Sequence, residues 1–138
     1  MIKGSCLALS RTKKEAWLKF ATRVIQTIKA SAKTRGIKFQ IMREEYPEVF
    51  KIFKKKCYYC GDSPSSSSDD HVRRSSGGRF FFTYSGLDRV NSKRGYLLSN
   101  VVPCCKSCNI MKLEKSQKAF YAHIRKILTR RKLALHKD

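Results

Sequence analysis

Apolar residues recur every three or four positions in the first part of the chain. The residues of this stripe are Trp17, Phe20, Ala21, Val24 and Ile28. Such spacing aligns side chains along one face of a helix, so the pattern predicts an amphipathic helix over residues 11–33. We expect Gly36 to end this helix, because glycine adopts the left-handed conformation of a helix cap without a steric penalty.

A second helix is predicted to begin near Arg43, after a short extended segment at residues 37–41 in which apolar and polar residues alternate. Pro47 is compatible with the first turn of that helix, where a backbone N–H has no intrahelical acceptor. The buried side of this helix is expected to consist of Tyr46, Val49, Phe50 and Phe53.

The middle of the chain is predicted to be a loop followed by a hairpin. Residues 62–78 are rich in serine and end in two glycines, which is typical of a loop. Aromatic residues dominate from residue 80 to residue 84 and favour a strand that leads on to Val90. A returning strand is predicted over residues 97–102, and Pro103 is expected to end it.

Two helices are predicted in the last third of the chain. The first covers residues 105–113, and the second begins after Ser116, whose hydroxyl can cap the first turn. The apolar stripe of the last helix is Phe120, Ile124, Ile127 and Leu128. Its basic flank is Arg125, Lys126, Arg130, Arg131 and Lys132.

The charge balance points to a polyanionic partner. Lys and Arg number 31 against 10 Asp and Glu, which gives a net charge of +21. So large an excess repels itself in a compact fold, so we expect binding to nucleic acid. An anionic membrane surface would instead require one basic amphipathic helix, whereas here the positive residues are spread over the whole chain.

Targeting signals and membrane spans are not apparent in the sequence. No run approaches the roughly 20 apolar residues that cross a bilayer. The apolar residues 6–9 are too few for the core of a secretion signal. We therefore expect an intracellular protein that does not bind membranes.

Two pairs of cysteines have the spacing of a zinc site. Cys57 and Cys60 form one C-x2-C pair, and Cys105 and Cys108 form another. Each pair can present two thiolates to a tetrahedral zinc ion. Cys104 competes with Cys105, but only Cys105 keeps the two-residue spacing. Four protein ligands leave no position for water, so the predicted zinc is structural.

The remaining two cysteines, Cys6 and Cys104, are expected to be buried or free thiols. Disulfides are not expected, because six cysteines in a chain without an export signal indicate metal ligation.

The segment between and around the cysteine pairs resembles the HNH endonuclease superfamily, and most closely small phage-type HNH proteins. The motifs that carry the resemblance are Cys57-Tyr-Tyr-Cys60-Gly61, Gly86-Leu-Asp88-Arg89-Val90, Gly95-Tyr96, and the run from Asn100 through Cys108-Asn109 to Lys112. A lead-in from Ala32 to Phe39 also matches, so the resemblance covers about residues 30–128.

The resemblance implies a ββα-metal core with a catalytic cation. By position, Asp88 is the acidic metal ligand on the first strand, and Asn109 is the second ligand at the start of the helix. Carboxylate and amide oxygens are hard donors that suit Mg²⁺ or Mn²⁺. Such an ion binds the scissile phosphate and stabilises the leaving oxygen. Asn100 matches the middle Asn of the motif, which orients the hairpin loop and the catalytic groups.

One position departs from the pattern of many HNH enzymes. Arg89 follows the acidic ligand where those enzymes have a His that acts as general base. A guanidinium stays protonated and offers only donors, so it cannot accept a proton from water. It can clamp a phosphate instead.

A second candidate for the active pair is Asp70-His71, followed by two glycines. We prefer Asp88, because strand-forming residues precede it whereas serines precede Asp70. With Asp88 as ligand, His71 remains a candidate base; the alternatives are a metal-bound hydroxide in place of a base, or weak activity.

Together these features predict an α+β fold: a zinc-stabilised ββα-metal core with an N-terminal helical region and a C-terminal basic helix. We place an N-terminal basic helical region at residues 1–54 and the zinc-bound nuclease domain at residues 55–138. The predicted activity is hydrolysis of double-stranded DNA with Mg²⁺ or Mn²⁺, as a nick or a double-strand break. The expected phosphate contacts are Lys93, Arg94, Lys106, Lys112 and Lys115.

Two other functions are compatible with parts of the sequence. A catalytically degenerate zinc module that binds DNA or RNA is favoured by Arg89. A ribosome-associated zinc protein accounts for the charge and the cysteines, but it leaves Asp88 and Asn109 unexplained.

Overall fold

The computed structural model describes residues 12–67, 72–73 and 77–132. Cys6, Asp70 and His71 therefore lie outside the described residues. The helices are α1 (Lys13–Thr34), α2 (Tyr46–Phe53), α3 (Lys106–Lys112) and α4 (Gln117–Arg131), and two 3-10 turns cover Arg43–Glu45 and Leu98–Asn100. None of the described helices is long and apolar enough to cross a membrane.

Helix α1 forms as its sequence pattern predicts. Thr12 caps it, since its hydroxyl accepts a hydrogen bond of 3.1 Å from the backbone N–H of Glu15. Gly36 follows the helix with φ of +68°, the left-handed conformation expected of it. The buried residues of α1 are Ala16, Trp17, Phe20, Ala21, Val24, Ile25 and Ala32.

The main core joins α1 and α2 to the aromatic residues that follow the serine-rich segment. Phe82 contacts Trp17 edge-on at 5.4 Å between ring centroids, and Tyr84 lies between Phe20 and Phe53 at 5.8 and 5.6 Å. The same cluster extends to Leu87 and Val101 of the hairpin described below. The helical region thus packs directly on that hairpin, and the domain boundary at residue 54 stays a prediction.

The described strands are short and form three antiparallel pairs. They are β1 (Ser66–Ser67), β2 (Val72–Arg73), β3 (Arg79–Phe80), β4 (Thr83–Tyr84), β5 (Gly86–Arg89) and β6 (Val101–Cys104). The pairs are β1 with β4, β2 with β3, and β5 with β6. The strand expected from residue 80 toward Val90 is divided into β3, β4 and β5. The run is interrupted because each of these strands pairs with a different partner. The predicted loop over residues 62–78 likewise contains β1 and β2.

The returning strand begins and ends later than predicted. Residues 98–100 form a 3-10 turn, and β6 continues through Pro103 to Cys104. β6 pairs only with β5, so its other side has no ladder hydrogen bonds to lose. Pro103, which lacks a backbone N–H, is therefore tolerated in this strand. The register sets Asp88 opposite Val102 and Gly86 opposite Cys104.

Helix α4 has its predicted start but only part of its predicted buried stripe. Ser116 caps it, with the hydroxyl accepting from the N–H of Ala119 at 3.1 Å. Phe120 is buried and packs on Tyr59, with 5.6 Å between ring centroids. Ile127 is exposed, so the apolar stripe predicted along the whole helix is buried mainly at its start.

The hairpin loop makes a close approach to the segment after α1. Tyr96 N–H donates to the Lys38 carbonyl at 2.9 Å, and the Tyr96 carbonyl accepts from Gln40 N–H at 2.8 Å. A Cβ placed on Gly95 would lie 2.4 Å from the Lys38 carbonyl oxygen, closer than real Cβ contacts. Glycine is therefore required at this crossing.

Gly95→Ala is expected to destabilise the protein by about 1–3 kcal/mol, because the added methyl forces the two backbone segments apart. The measurement is the free energy of unfolding from denaturant titration. Ser99→Ala is the control, since Ser99 is exposed in the same hairpin. Equal stability of the two variants would contradict the close approach.

Candidate metal centre and active site

The four predicted cysteines form one cluster. The sulfur atoms of Cys57, Cys60, Cys105 and Cys108 all lie within 4.8 Å of one another. Zinc–sulfur bonds of about 2.3 Å in a tetrahedron place the sulfurs about 3.8 Å apart. Cys60 Sγ and Cys105 Sγ are separated by 3.7 Å. The cluster therefore fits a zinc ion held by four thiolates.

Local backbone structure presents the sulfurs. Cys105 is the N-cap of α3, and its sulfur accepts from the N–H of Cys108 at 3.4 Å. The first pair lies in a turn in which Gly61 N–H donates to the Cys57 carbonyl at 2.9 Å. Cys104 is buried but lies outside the cluster, so Cys105 is the partner of Cys108, as the spacing predicted.

The pKa values of Cys57 and Cys108 are shifted in opposite directions. Burial raises the pKa of Cys57, but hydrogen bonds from the backbone of Cys105, Cys60 and Tyr59 outweigh this and lower it to about 6. Burial raises the pKa of Cys108 well above its usual range. The hydrogen bonds around Cys57 therefore favour its thiolate, which is the form that binds a metal.

Hydrogen bonds join the first cysteine turn to the hairpin. Tyr58 N–H donates to the Pro103 carbonyl of β6 at 2.8 Å. Ser85, just before β5, donates its hydroxyl to the Lys55 carbonyl at 2.6 Å and its N–H to the Phe53 carbonyl at 2.8 Å. The cluster, the hairpin and α2 thus form one framework.

Asp88 lies at the centre of this framework, and its side chain is almost fully buried. Its Oδ2 accepts a hydrogen bond of 2.6 Å from the Tyr59 hydroxyl and one of 3.0 Å from Lys112 Nζ. Burial, together with the bond to Asp88, raises the pKa of Tyr59 well above its usual range, so the hydroxyl remains a donor. The carboxylate is therefore fixed from two directions.

Lys112 has no exposed surface, although its residue type is usually exposed. Besides Asp88, its ammonium donates to the Arg89 carbonyl at 3.0 Å. Lys112 was predicted to contact phosphate. Instead its ammonium is buried and joins α3 to β5 through its contacts with Asp88 and Arg89.

Asn100 and Arg89 both stabilise the hairpin loop. Asn100 donates to the carbonyls of Asn91 and Gly95 at 3.1 and 2.9 Å and accepts from Asn91 N–H at 3.0 Å. These bonds hold the hairpin loop, and the expected role of Asn100 toward the catalytic groups stays a prediction. Arg89 Nη1 donates to the carbonyls of Ser92 and Arg94 at 2.6 and 2.8 Å, so part of its guanidinium is already engaged.

Asn109 lies on an exposed part of α3 and lines a cavity of about 680 Å³. Asp88 is not among the residues that line this cavity. Asn109 and Lys112 are three residues apart on α3 and so share a face of the helix, and Lys112 contacts Asp88. Lys112 thus joins α3 to β5 at a site we call the α3–β5 junction, and Asn109 lies one helical turn before Lys112. Asp88 and Asn109 do not line one shared cavity.

A divalent cation at Asp88 and Asn109 would find oxygen ligands of suitable chemistry, but it would compete with the ammonium of Lys112 for Asp88. Both contacts of the Asp88 carboxylate fall on Oδ2, and one of them is already the ammonium of Lys112. A divalent ion at that oxygen would have to displace this charge. The fit is therefore closer for zinc at the cysteines than for Mg²⁺ or Mn²⁺ at Asp88.

The remaining predicted phosphate contacts are exposed. Lys106 lines the cavity beside Asn109, and Lys93 and Arg94 line a second cavity of about 450 Å³ together with Arg89. Lys115 is exposed after α3. These side chains are accessible to a polyanion.

Sequence reasoning missed two residues of this region. Tyr59 lies between the two cysteines of the first pair, and its hydroxyl donates to Asp88. Its position in the sequence, next to a metal ligand, gives no sign of this contact. Arg35 lies in the lead-in segment and reaches the hairpin through Tyr96. The motif match at Arg35 was the only available signal.

The chain is similar to the rare-cutting HNH restriction endonuclease PacI, with a TM-score of 0.55 and 22% identity, over 83% of this chain and 82% of that one. This chain has the fold of an HNH endonuclease. The predicted α+β architecture and the HNH resemblance are thereby confirmed for the fold.

The sequence matches no protein-family model. It is 30% identical to the uncharacterized protein R423 of Acanthamoeba polyphaga mimivirus over 84 residues. These residues are 61% of this chain. The match spans only 12% of that relative's length.

Proposed function

We propose that this chain is a divalent-metal-dependent endonuclease that hydrolyses phosphodiester bonds of double-stranded DNA, as a nick or a double-strand break. The observation that carries the proposal is an HNH endonuclease fold, in which Asp88 lies on β5 and Asn109 on α3. The net charge of +21 supports a nucleic-acid substrate. PacI, the similar structure, is itself a restriction endonuclease.

Each part of the junction has a role in this proposal. Asp88 and Asn109 would hold Mg²⁺ or Mn²⁺ after the Lys112 ammonium has left Asp88 Oδ2 and the Asn109 amide has turned toward Asp88. The bound ion would neutralise charge on the scissile phosphate and stabilise the leaving oxygen. Asn100 keeps the hairpin loop in place. Zinc at the four cysteines holds α3 against the hairpin and takes no part in the chemistry. Arg89 does not act as base, because its guanidinium cannot accept a proton.

A catalytically degenerate zinc module that binds DNA or RNA is the second candidate. Two observations favour it. Lys112 occupies the Asp88 carboxylate at 3.0 Å, and Arg89 stands where many HNH enzymes have a basic histidine. Both candidates predict nucleic-acid binding, so only a cleavage assay separates them.

The test is conversion of supercoiled plasmid to nicked and linear forms by the zinc-loaded protein. We expect cleavage with Mg²⁺ or Mn²⁺ and none without an added divalent ion. His71→Ala is the informative variant, because His71 is the candidate base. Reduced cleavage in that variant supports the role of His71 as base.

Intact DNA binding without cleavage under any divalent ion would contradict the nuclease and favour the binding module. If His71→Ala and Asp70→Ala abolish cleavage while Asp88→Ala does not, Asp70-His71 is the active pair and the choice of Asp88 is wrong.

A further inference from the structure

We infer that the cavity beside Asn109 is a binding cleft for the phosphodiester backbone of DNA, and that Arg35 is its principal phosphate contact. This inference deepens the proposed function, on which it rests for the identity of the ligand. It adds a residue outside the hairpin and α3 to the contact surface.

The cavity is lined by four parts of the chain. The second half of α1 with Arg35 provides one wall, and the serines 65–67 with Tyr84 provide another. The start of α3 provides Lys106 and Asn109, and the hairpin provides Gly86, Leu87, Tyr96 and Cys104. Its lining includes two cationic side chains, Arg35 and Lys106, and no carboxylate among the described residues. Hydroxyl groups make up much of the rest. This combination of cations and neutral donors suits a phosphate group.

The Arg35 guanidinium is held in place from one side. Its Nη2 donates to the Tyr96 hydroxyl at 3.0 Å, and its Nε donates to the Ser31 carbonyl at 3.3 Å. Tyr96 is itself buried. A guanidinium has five N–H donors, so two of them are used in these bonds and three remain. An arginine fixed in this way loses less side-chain entropy when it binds a phosphate.

The two cations also lead toward the proposed catalytic junction. Lys106 and Asn109 are three residues apart, so they share one face of α3. A phosphate bound between Arg35 and Lys106 would occupy the cavity that Asn109 also lines. The cleft thus brings the DNA backbone to Asn109, one of the two proposed cation ligands.

The test measures binding of a short fluorescent DNA duplex by anisotropy, with zinc-loaded protein and no added Mg²⁺ or Mn²⁺, between about 50 and 200 mM salt. Arg35→Ala is expected to weaken binding about tenfold, which is the size of one charge-assisted contact. It is also expected to reduce the slope of log K against log salt by about 0.9, the loss of one phosphate contact.

Arg43→Ala is the matched control, since Arg43 is an exposed arginine on the 3-10 turn and does not line the cavity. Its salt slope should stay close to that of the wild type. If Arg35→Ala does not fold, Arg35→Gln removes the charge while keeping a donor for the Tyr96 hydroxyl. Equal slopes for the Arg35 and Arg43 variants would overturn the inference, as would a lower melting temperature of Arg35→Ala with an unchanged slope.

Failure of this inference is distinguishable from failure of the proposed function. Plasmid cleavage with an unchanged slope for Arg35→Ala refutes the cleft and leaves the nuclease. A reduced slope without plasmid cleavage supports the cleft and refutes hydrolysis.

Discussion

Cys108→Ser is expected to lose the zinc ion and the cooperative unfolding transition. The cluster ties together Cys60 and Cys105, 45 positions apart, and the elements around it are short. Helix α3 has seven residues and β5 and β6 have four each, so none of them is stable alone. Structural zinc contributes roughly 10 kcal/mol or more at neutral pH, which is comparable with the whole stability of a small domain.

The measurement combines zinc content by mass spectrometry with thermal unfolding followed by circular dichroism. Cys104→Ala is the matched control, because Cys104 is buried beside the cluster but is not part of it. This control should keep one zinc ion per chain and a cooperative transition at a somewhat lower temperature. Loss of zinc from Cys104→Ala, or an unchanged transition in Cys108→Ser, would contradict the assignment of the four ligands.

The helices and the cysteine cluster were predictable because their signals are local. The stripe from Trp17 to Ile28 repeats with the period of a helix, and the structure buries most of it in α1. The hydroxyl caps at Thr12 and Ser116 are also local signals, since each hydroxyl accepts a hydrogen bond from an N–H in the first turn of the helix that it caps. The two C-x2-C pairs fix sulfur positions through turns of a few residues.

The strand boundaries were not predictable from these signals. The aromatic run from residue 80 has the alternation of one strand, and Phe80, Phe82 and Tyr84 do belong to one hydrophobic core. Where the run breaks depends on its partners, which lie elsewhere in the sequence. Pairing between distant segments is a tertiary property, so composition alone does not reveal it.

The electrostatics of the candidate site were also beyond the sequence. Residue spacing set Asp88 on the hairpin and Lys112 on α3, but not their contact. A lysine is expected on the surface, and only the packed structure shows that Lys112 is buried against Asp88. This pairing now gives the sharpest test of the active site.

Asp88→Asn is expected to reduce plasmid cleavage by about a thousandfold or more, because the amide removes the charged ligand of the proposed cation. The variant also leaves the buried Lys112 ammonium without its partner, which costs roughly 3–5 kcal/mol. Loss of activity alone would therefore not distinguish catalysis from misfolding. Cleavage rates must be compared with melting temperatures of the same samples.

The double variant Asp88→Asn/Lys112→Met separates these effects. It removes both charges, so its stability is expected to recover relative to Asp88→Asn, while cleavage stays abolished. Recovery of cleavage along with stability would mean that Asp88 acts only through the fold.

The single variant Lys112→Met then asks whether the Asp88 carboxylate accepts a divalent ion. Without the ammonium, the buried carboxylate keeps only the Tyr59 hydroxyl of its two partners, so the fold is destabilised and the vacated side of Oδ2 is open to a cation. Mn²⁺ at a hundred times its dissociation constant would restore roughly 2.7 kcal/mol, so the melting temperature should rise with Mn²⁺ far more than in the double variant. A melting temperature independent of Mn²⁺ would show that this carboxylate is a structural partner of Lys112. The same fold would then serve to bind nucleic acid without cutting it at this site.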